Sequence, residues 1–213
     1  MDKFRDPVSS WIHLVSAGLA GLGLVILLVL GWGNLLKEIS LLIYGLTLLL
    51  MFSSSTLYHS IHAEPAALLR LRKLDHSSIY LLIAGSYTPL CLYFFTGFWR
   101  WGFLAIIWVF GLAGIIIKLF VINAPRWVTA GIYLVMGWLS IFAIKEMLST
   151  MPVGALLWLL AGGLFYTLGA VIYITKKMDF APNVFGFHEV WHIFVSLGAL
   201  CHFILICVYI AAV

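Results

Sequence analysis

The chain has 213 residues, of which 64% are hydrophobic and 9% charged, with a formal net charge of +4. A soluble domain is about half apolar and about a quarter charged. This composition therefore excludes a soluble globular enzyme, a disordered chain and a nucleic-acid-binding module, and the mean hydropathy of +1.12 places the chain in a bilayer. The basic residues are dispersed through short segments, with no basic face to lie along a duplex.

A helix needs about 20 apolar residues to cross the hydrocarbon core. Seven stretches meet that length: Trp11–Leu30, Ile39–Ile61, Ser77–Phe94, Trp101–Val121, Val128–Ile144, Gly154–Ile174 and His188–Ala211. Charges or helix breakers separate them: Lys37-Glu38, Pro65 with Arg70, Arg72 and Lys73, Arg100, Pro125-Arg126, Lys145-Glu146, and Lys176-Lys177 with Pro182. The pattern predicts an all-α integral membrane protein, a single seven-helix domain over residues 1–213. The first stretch is too long for the apolar core of a signal peptide and no small-residue cleavage site follows it, so it is read as a retained helix.

Lysine and arginine set the orientation. With the amino terminus in the cytoplasm, the inner segments hold nine of the twelve basic residues, and only Lys37, Arg100 and Lys145 lie outside. The prediction is a cytoplasmic N-terminus and an external C-terminus. Trp11, Trp32, Trp99, Trp101 and Trp127 fall near helix ends, where an interfacial aromatic belt belongs. No G-x-x-x-G occurs, but glycines such as Gly18, Gly21, Gly111, Gly114, Gly162 and Gly163 would permit close helix contact. Pro89 is expected to kink the third helix, with Ser86 or Thr88 bonding freed carbonyls. Cys91, Cys201 and Cys207 sit in apolar runs without a C-x-x-C and read as small buried hydrophobes.

Ionisable groups inside membrane helices are costly and default to functional hypotheses. The candidates are His13, His59, His62, Asp75, His76, His188, Glu189, His192 and His202. Helix direction alternates, so the end of the second helix and the starts of the third and seventh share one level. That brings His59, Asp75, His188 and His192 to the same depth. His188 and His192 are four residues apart and share a helix face. They make a half-site for zinc, with His59 as third ligand and the fourth position left for water, the catalytic pattern. Asp75 can accept a proton from that water. Ser55, one turn before His59, can orient the water or a substrate carbonyl. The alternative at this stage is a contact between paired histidines without metal.

His188-Glu189-Val190-Trp191-His192 also matches the H-E-x-x-H metalloprotease signature, in which Glu189 would be the general base. No Asp or Glu follows Glu189, and Val195 and Gly198 stand where the metzincin glycine and third histidine belong. His202 lies about 15 Å further along a helix, too far to share the ion. It is expected to be a hydrogen-bonded packing residue. His76 points about 100° away from Asp75, and suits a supporting or structural role. His13 belongs to the periphery of the site or to a helix contact, and His62 to the interface.

Three blocks resemble the hemolysin III family of bacterial membrane proteins, which is grouped with progestin and adipoQ receptors (PAQR) and alkaline ceramidases. They are Ser53-Ser54-Ser55-Thr56-Leu57-Tyr58-His59, Leu74-Asp75-His76 running on to Thr88-Pro89, and His188-Glu189-Val190-Trp191-His192 with Cys201-His202-Phe203. The resemblance spans essentially the whole chain. It implies seven helices, a cytoplasmic N-terminus and an intramembrane zinc site. Its ligands would be His59, His188 and His192, with Ser55 and Asp75 beside the metal-bound water. Ser9-Ser10-Trp11-Ile12-His13 departs from the family by lacking the Asn and Thr expected near its histidine.

The function expected is a zinc-dependent hydrolase of membrane-lipid amide or ester bonds, ceramide-like amides being the family-based substrate class, in a bacterial inner membrane. Two readings compete with it. One is a non-enzymatic sensor of lipid homeostasis with structural zinc. The other is a pore-forming cytolysin, for which the chain has few polar helix faces to line a channel.

Overall fold

The computed structural model describes residues 4–181 and 184–213. Lys3 and Pro182, used above for orientation and as a helix breaker, lie outside the described residues. Among the described residues seven helices are long and apolar enough to cross a membrane: α1 (Pro7–Leu30), α2 (Leu35–Ser60), α3 (Pro65–Phe94), α4 (Gly97–Phe120), α5 (Arg126–Thr150), α6 (Val153–Thr175) and α7 (Phe187–Ala211). Consecutive helices pack side by side, except that α5 meets α4 only sparingly. The all-helical, seven-span reading holds.

The surface is inverted relative to a soluble bundle. On α1 the inward positions are Ser9, Ser10, His13, Ala20, Gly23 and Leu27. The outward ones include Trp11, Val15, Leu19, Leu22 and Val29, each more than half exposed. Large side chains that would be hidden in water face outward, as they do only against lipid. Trp11, Trp32, Trp101 and Trp127 are exposed near helix ends, whereas Trp99 packs partly against the core. The three cysteines are free, with Cys91 and Cys201 buried.

Where the boundaries differ from expectation, the reason is local chemistry. Helix α3 starts at Pro65 rather than Ser77, because Pro is favoured at the first helical position. The following Ala66-Ala67-Leu68-Leu69-Arg70 are strong helix formers. Hydropathy counting stops at charges, but helices do not, so Arg70, Arg72 and Lys73 are helical. Helix α3 also runs unbroken through Pro89. The hydroxyls of Ser86 and Thr88 donate to the carbonyls of Leu82 (2.8 Å) and Ala84 (3.0 Å), not to that of Gly85, which Pro89 frees. Close packing comes at several glycines. A side chain at Gly85 would overlap Thr47 on α2, and one at Gly114 would overlap the Tyr80 ring. Gly18 faces open space and serves no contact.

Helix α5 is interrupted by a 3-10 turn at Leu139–Ala143. Tyr87 of α3 fills the break: its hydroxyl donates to the carbonyl of Gly137 (2.7 Å) and accepts from the amide of Ser140 (2.9 Å). On the other side the Trp138 indole donates to Thr167 Oγ1 of α6 at 3.0 Å. In an apolar slab an unpaired backbone group is expensive. Tyr87→Phe therefore leaves a buried amide without its acceptor. Thermal unfolding in detergent is expected to register a loss of about 1–3 kcal/mol, and an unchanged melt would show that the break satisfies itself.

Candidate functional site

Helix ends gather the polar groups at one end of the bundle. The amino-terminal segment folds back along the end of α2, where the Asp6 amide donates to the His59 carbonyl (2.9 Å) and the Arg5 amide to that of Ser60 (3.3 Å). The Asp6 carboxylate then accepts from His59 Nδ1 at 2.8 Å. Arg5 pairs with the same carboxylate oxygen at 3.0 Å and lies over the Tyr58 ring. With Nδ1 carrying the hydrogen, the Nε2 lone pair of His59 is left free. A carboxylate on the far nitrogen of an imidazole is the common support for a metal-binding histidine.

Helix α7 presents the other two histidines. His188 and His192 bring their Nε2 atoms to 3.1 Å. The His59 ring lies 5.2 Å from that of His188 and 4.9 Å from that of His192, centroid to centroid. Ligand atoms of His59, His188 and His192 all fall within 4.8 Å of one another, close enough to hold one metal ion. His59 and His192 are buried and His188 is half-buried.

Glu189 turns away from this cluster. Its carboxylate accepts from the Gly186 amide at 2.9 Å, capping the start of α7, and from the Ser9 hydroxyl at 2.9 Å, tying α1 to α7. The general-base role of the protease signature needs that carboxylate free, and the cap occupies it.

Asp75 and Ser55 line an apolar cavity of about 340 Å³. The cavity runs between α3, α5, α6 and α7 towards Phe95, Met147 and Met151 at the opposite end. Its wall includes Ile141, Leu148 and Leu160, which are also exposed on the lipid-facing surface.

Matching across known proteins now adds to this geometry. A family model described as Haemolysin-III related matches residues 1–203. The chain belongs to the haemolysin-III family. It is 37% identical to Hemolysin-3 of Bacillus cereus over 178 residues, covering 84% of this chain and 78% of that protein. It is 36% identical to the Hemolysin-3 homolog of Bacillus subtilis (strain 168) over 186 residues, covering 87% and 84%. It is also 29% identical over 163 residues to the Adiponectin receptor protein of Drosophila melanogaster, covering 68% of this chain and 37% of that one. The chain is a multi-pass membrane protein of that family.

Several candidates settle into place. His13 makes a helix contact: its ring stacks on that of His192 of α7 with centroids 3.9 Å apart, and it lines the cavity. Among the described residues neither of its nitrogens has a hydrogen-bond partner. His202 Nε2 meets the Leu159 carbonyl at 3.3 Å, as a packing residue does. The carbonyl of His76 accepts from the Tyr133 hydroxyl at 2.9 Å, a structural link. His62 is exposed in the turn after α2. Sequence reasoning missed Asp6: it precedes the first apolar run, and only the folding back of the segment reveals its partner.

The His59 hydrogen bond, foremost, and the Arg5 guanidinium hold the Asp6 carboxyl below its usual value of 3.8, against the opposing effect of partial burial. A carboxyl whose pKa is depressed on folding stabilises above its unfolded pKa and loses that contribution as pH falls through the folded one. In chelator-treated protein, the stability gap between wild type and Asp6→Asn is expected to be full above about pH 4 and to close below it. A gap constant down to pH 2 would show that the carboxylate charge is not what holds His59.

Proposed function

We propose that this haemolysin-III protein is a zinc-dependent intramembrane hydrolase of an amide or ester bond in a membrane lipid. Its amino terminus faces the cytoplasm across a bacterial inner membrane. One observation carries the reading: ligand atoms of His59, His188 and His192 lie within 4.8 Å of one another at the helix ends where Asp75 and Ser55 line an apolar cavity.

The donor set fits zinc. Imidazole nitrogens bind Zn²⁺ at about 2.0–2.1 Å, and a tetrahedron of that size has edges of about 3.3 Å, close to the 3.1 Å between His188 and His192. Among the described residues the cluster offers three ligand side chains, whereas structural zinc sites are closed by four. Bound zinc supplies an acidified water and polarises a substrate carbonyl.

The remaining work belongs to the chain. The cavity takes an acyl chain and excludes bulk water. Asp75 accepts a proton from the attacking water as the C–O bond forms. It returns that proton to the amine or alcohol oxygen as the C–N or C–O bond breaks, releasing a fatty acid. Ser55 orients the water with its hydroxyl. Asp6 holds the His59 ring in the tautomer that leaves Nε2 unprotonated. The apolar cavity wall favours a lipid chain over a water-filled pore.

Purified protein offered labelled ceramide-type amides and glycerolipid esters is expected to release fatty acid, to stop with chelator and to recover with zinc. His59→Ala and His192→Ala should lose bound zinc by metal analysis. Asp75→Asn should retain it while its rate falls at least about 100-fold. A zinc-loaded wild type that cleaves no member of the panel would overturn the hydrolase reading, and equal metal content in wild type and both histidine variants would overturn the zinc site. Asp6→Ala is expected to weaken zinc binding by about 10–100-fold in a chelator competition.

A further inference from the structure

Three cations gather around the end of α4, apart from the histidine cluster, and among the described residues none has an acidic partner. Arg72 of α3 donates to the Asn123 side-chain oxygen at 3.3 Å. Lys73 donates to the Leu119 carbonyl. Lys118, only 2% exposed, donates to the Thr129 hydroxyl of α5 at 2.9 Å. Every partner is neutral. Among the described residues the ion pairs are those of Asp6 with Arg5 and His59. A buried ammonium satisfied by a single hydroxyl is an expensive arrangement, and it leaves two of the three N–H donors of Lys118 unspent. The uncapped start of α5, beside Lys118, adds the positive end of a helix dipole.

An apolar groove of about 380 Å³ lies between α4 and α5, and Trp127 and Val128 in its wall are within two residues of Thr129, the partner of Lys118. Tyr80, Met136 and Leu139 form part of its wall with Phe110, Trp127 and Gly131. The groove and the cations share faces of the same helices. Arg72, His76 and Tyr80 are spaced by four on α3, and Phe110, Gly114 and Lys118 by four on α4. Trp127, 66% exposed, stands beside the groove at the level of the cations.

A charged head end near an apolar groove has the polarity of a phospholipid. We propose that the α4–α5 face binds one anionic glycerophospholipid, its phosphodiester held by the partly exposed Arg72 and Lys73, with the charge of Lys118 buried behind them, and one acyl chain lying in the groove. Charge complementarity selects the anionic headgroup. The groove, which a free anion cannot use, selects a lipid. This site is separate from the cavity that ends at Asp75 and does not depend on hydrolysis.

The test is native mass spectrometry of the full chain in detergent, titrated with phosphatidylglycerol, with phosphatidylcholine and with inorganic phosphate. One phosphatidylglycerol is expected to be retained, at least about tenfold more tightly than phosphatidylcholine, and millimolar phosphate should not displace it. Arg72→Gln and Lys118→Met should each weaken retention about fivefold. Gly131→Leu is the decisive variant, because a side chain at Gly131 meets nothing within 4 Å and so fills the groove without straining the fold. It should reduce retention at least as much with every cation intact. Lys176→Gln and Lys177→Gln, which remove the same charge from an exposed turn, and His192→Ala at the histidine cluster should change nothing. Equal retention of phosphatidylcholine would overturn the proposal. So would displacement by phosphate, indifference to Gly131→Leu, or an equal loss in the Lys176 and Lys177 variants.

Discussion

Polar groups survive inside a bilayer only where partners meet them, and this chain satisfies most of that demand by concentrating such groups at one end. Lipid gives helices no hydrophobic reason to associate, so packing and hydrogen bonds between helices must hold them. The bonds are visible at that end. Ser9 joins α1 to α7 through Glu189, Ser16 meets Ser196 at 3.0 Å, and Ser54 meets Ser78 at 2.9 Å between α2 and α3. Asp6 fastens the amino-terminal segment to His59. Helices α1, α2, α3 and α7 are thereby fixed to one another at the level of the histidines, and the rigidity of the cluster follows from the same bonds that assemble the bundle.

Helix α5 is held differently. It leans on α6 and meets α3 and α4 sparingly. Single hydrogen bonds anchor it along its length: Thr129 to Lys118, Tyr133 to the His76 carbonyl, Tyr87 at the 3-10 break, Trp138 to Thr167, and Glu146 to Thr96. This loose attachment leaves space on both of its flanks. On one flank is the cavity ending at Asp75 and Ser55, and on the other the groove beside Lys118. A tightly packed α5 would have closed both. The hydroxyl of Tyr87 and the indole of Trp138 keep the helix in place across gaps that side-chain packing does not fill.

Much of this was legible in the sequence, because membrane solvation makes hydropathy a direct report of helix position. The seven spans follow from it, and so does the shared depth of His59, Asp75, His188 and His192, since helix direction alternates. The four-residue spacing of His188 and His192 fixes their common face whatever surrounds them. What could not be read was whatever depends on partners distant in sequence. Glu189 looks like a catalytic base within its motif, and only the position of Gly186 and Ser9 shows it to be a cap. The helical state of Arg72 and Lys73 was hidden because charge interrupts hydropathy without interrupting a helix. The break in α5 lies in a uniformly apolar run and has no sequence mark, since the group that stabilises it, Tyr87, is on another helix.

Ser9 and Ser10 show how a departure from a family pattern can be coherent. Larger polar residues were expected before His13, and their absence put that histidine in doubt. Both serines are buried, with almost no exposed surface. Ser9 reaches Glu189, and the Ser10 hydroxyl donates to the Asp6 carbonyl at 2.8 Å. Two short hydroxyl side chains thus dock α1 closely on α7 and hold the turn that aims Asp6 at His59. The same close docking presses the His13 ring onto His192 and leaves its nitrogens facing the cavity without a partner. The first helix is therefore part of the site twice over, through a carboxylate behind one histidine and a ring stacked on another. Both contributions depend on the small size of the residues between them.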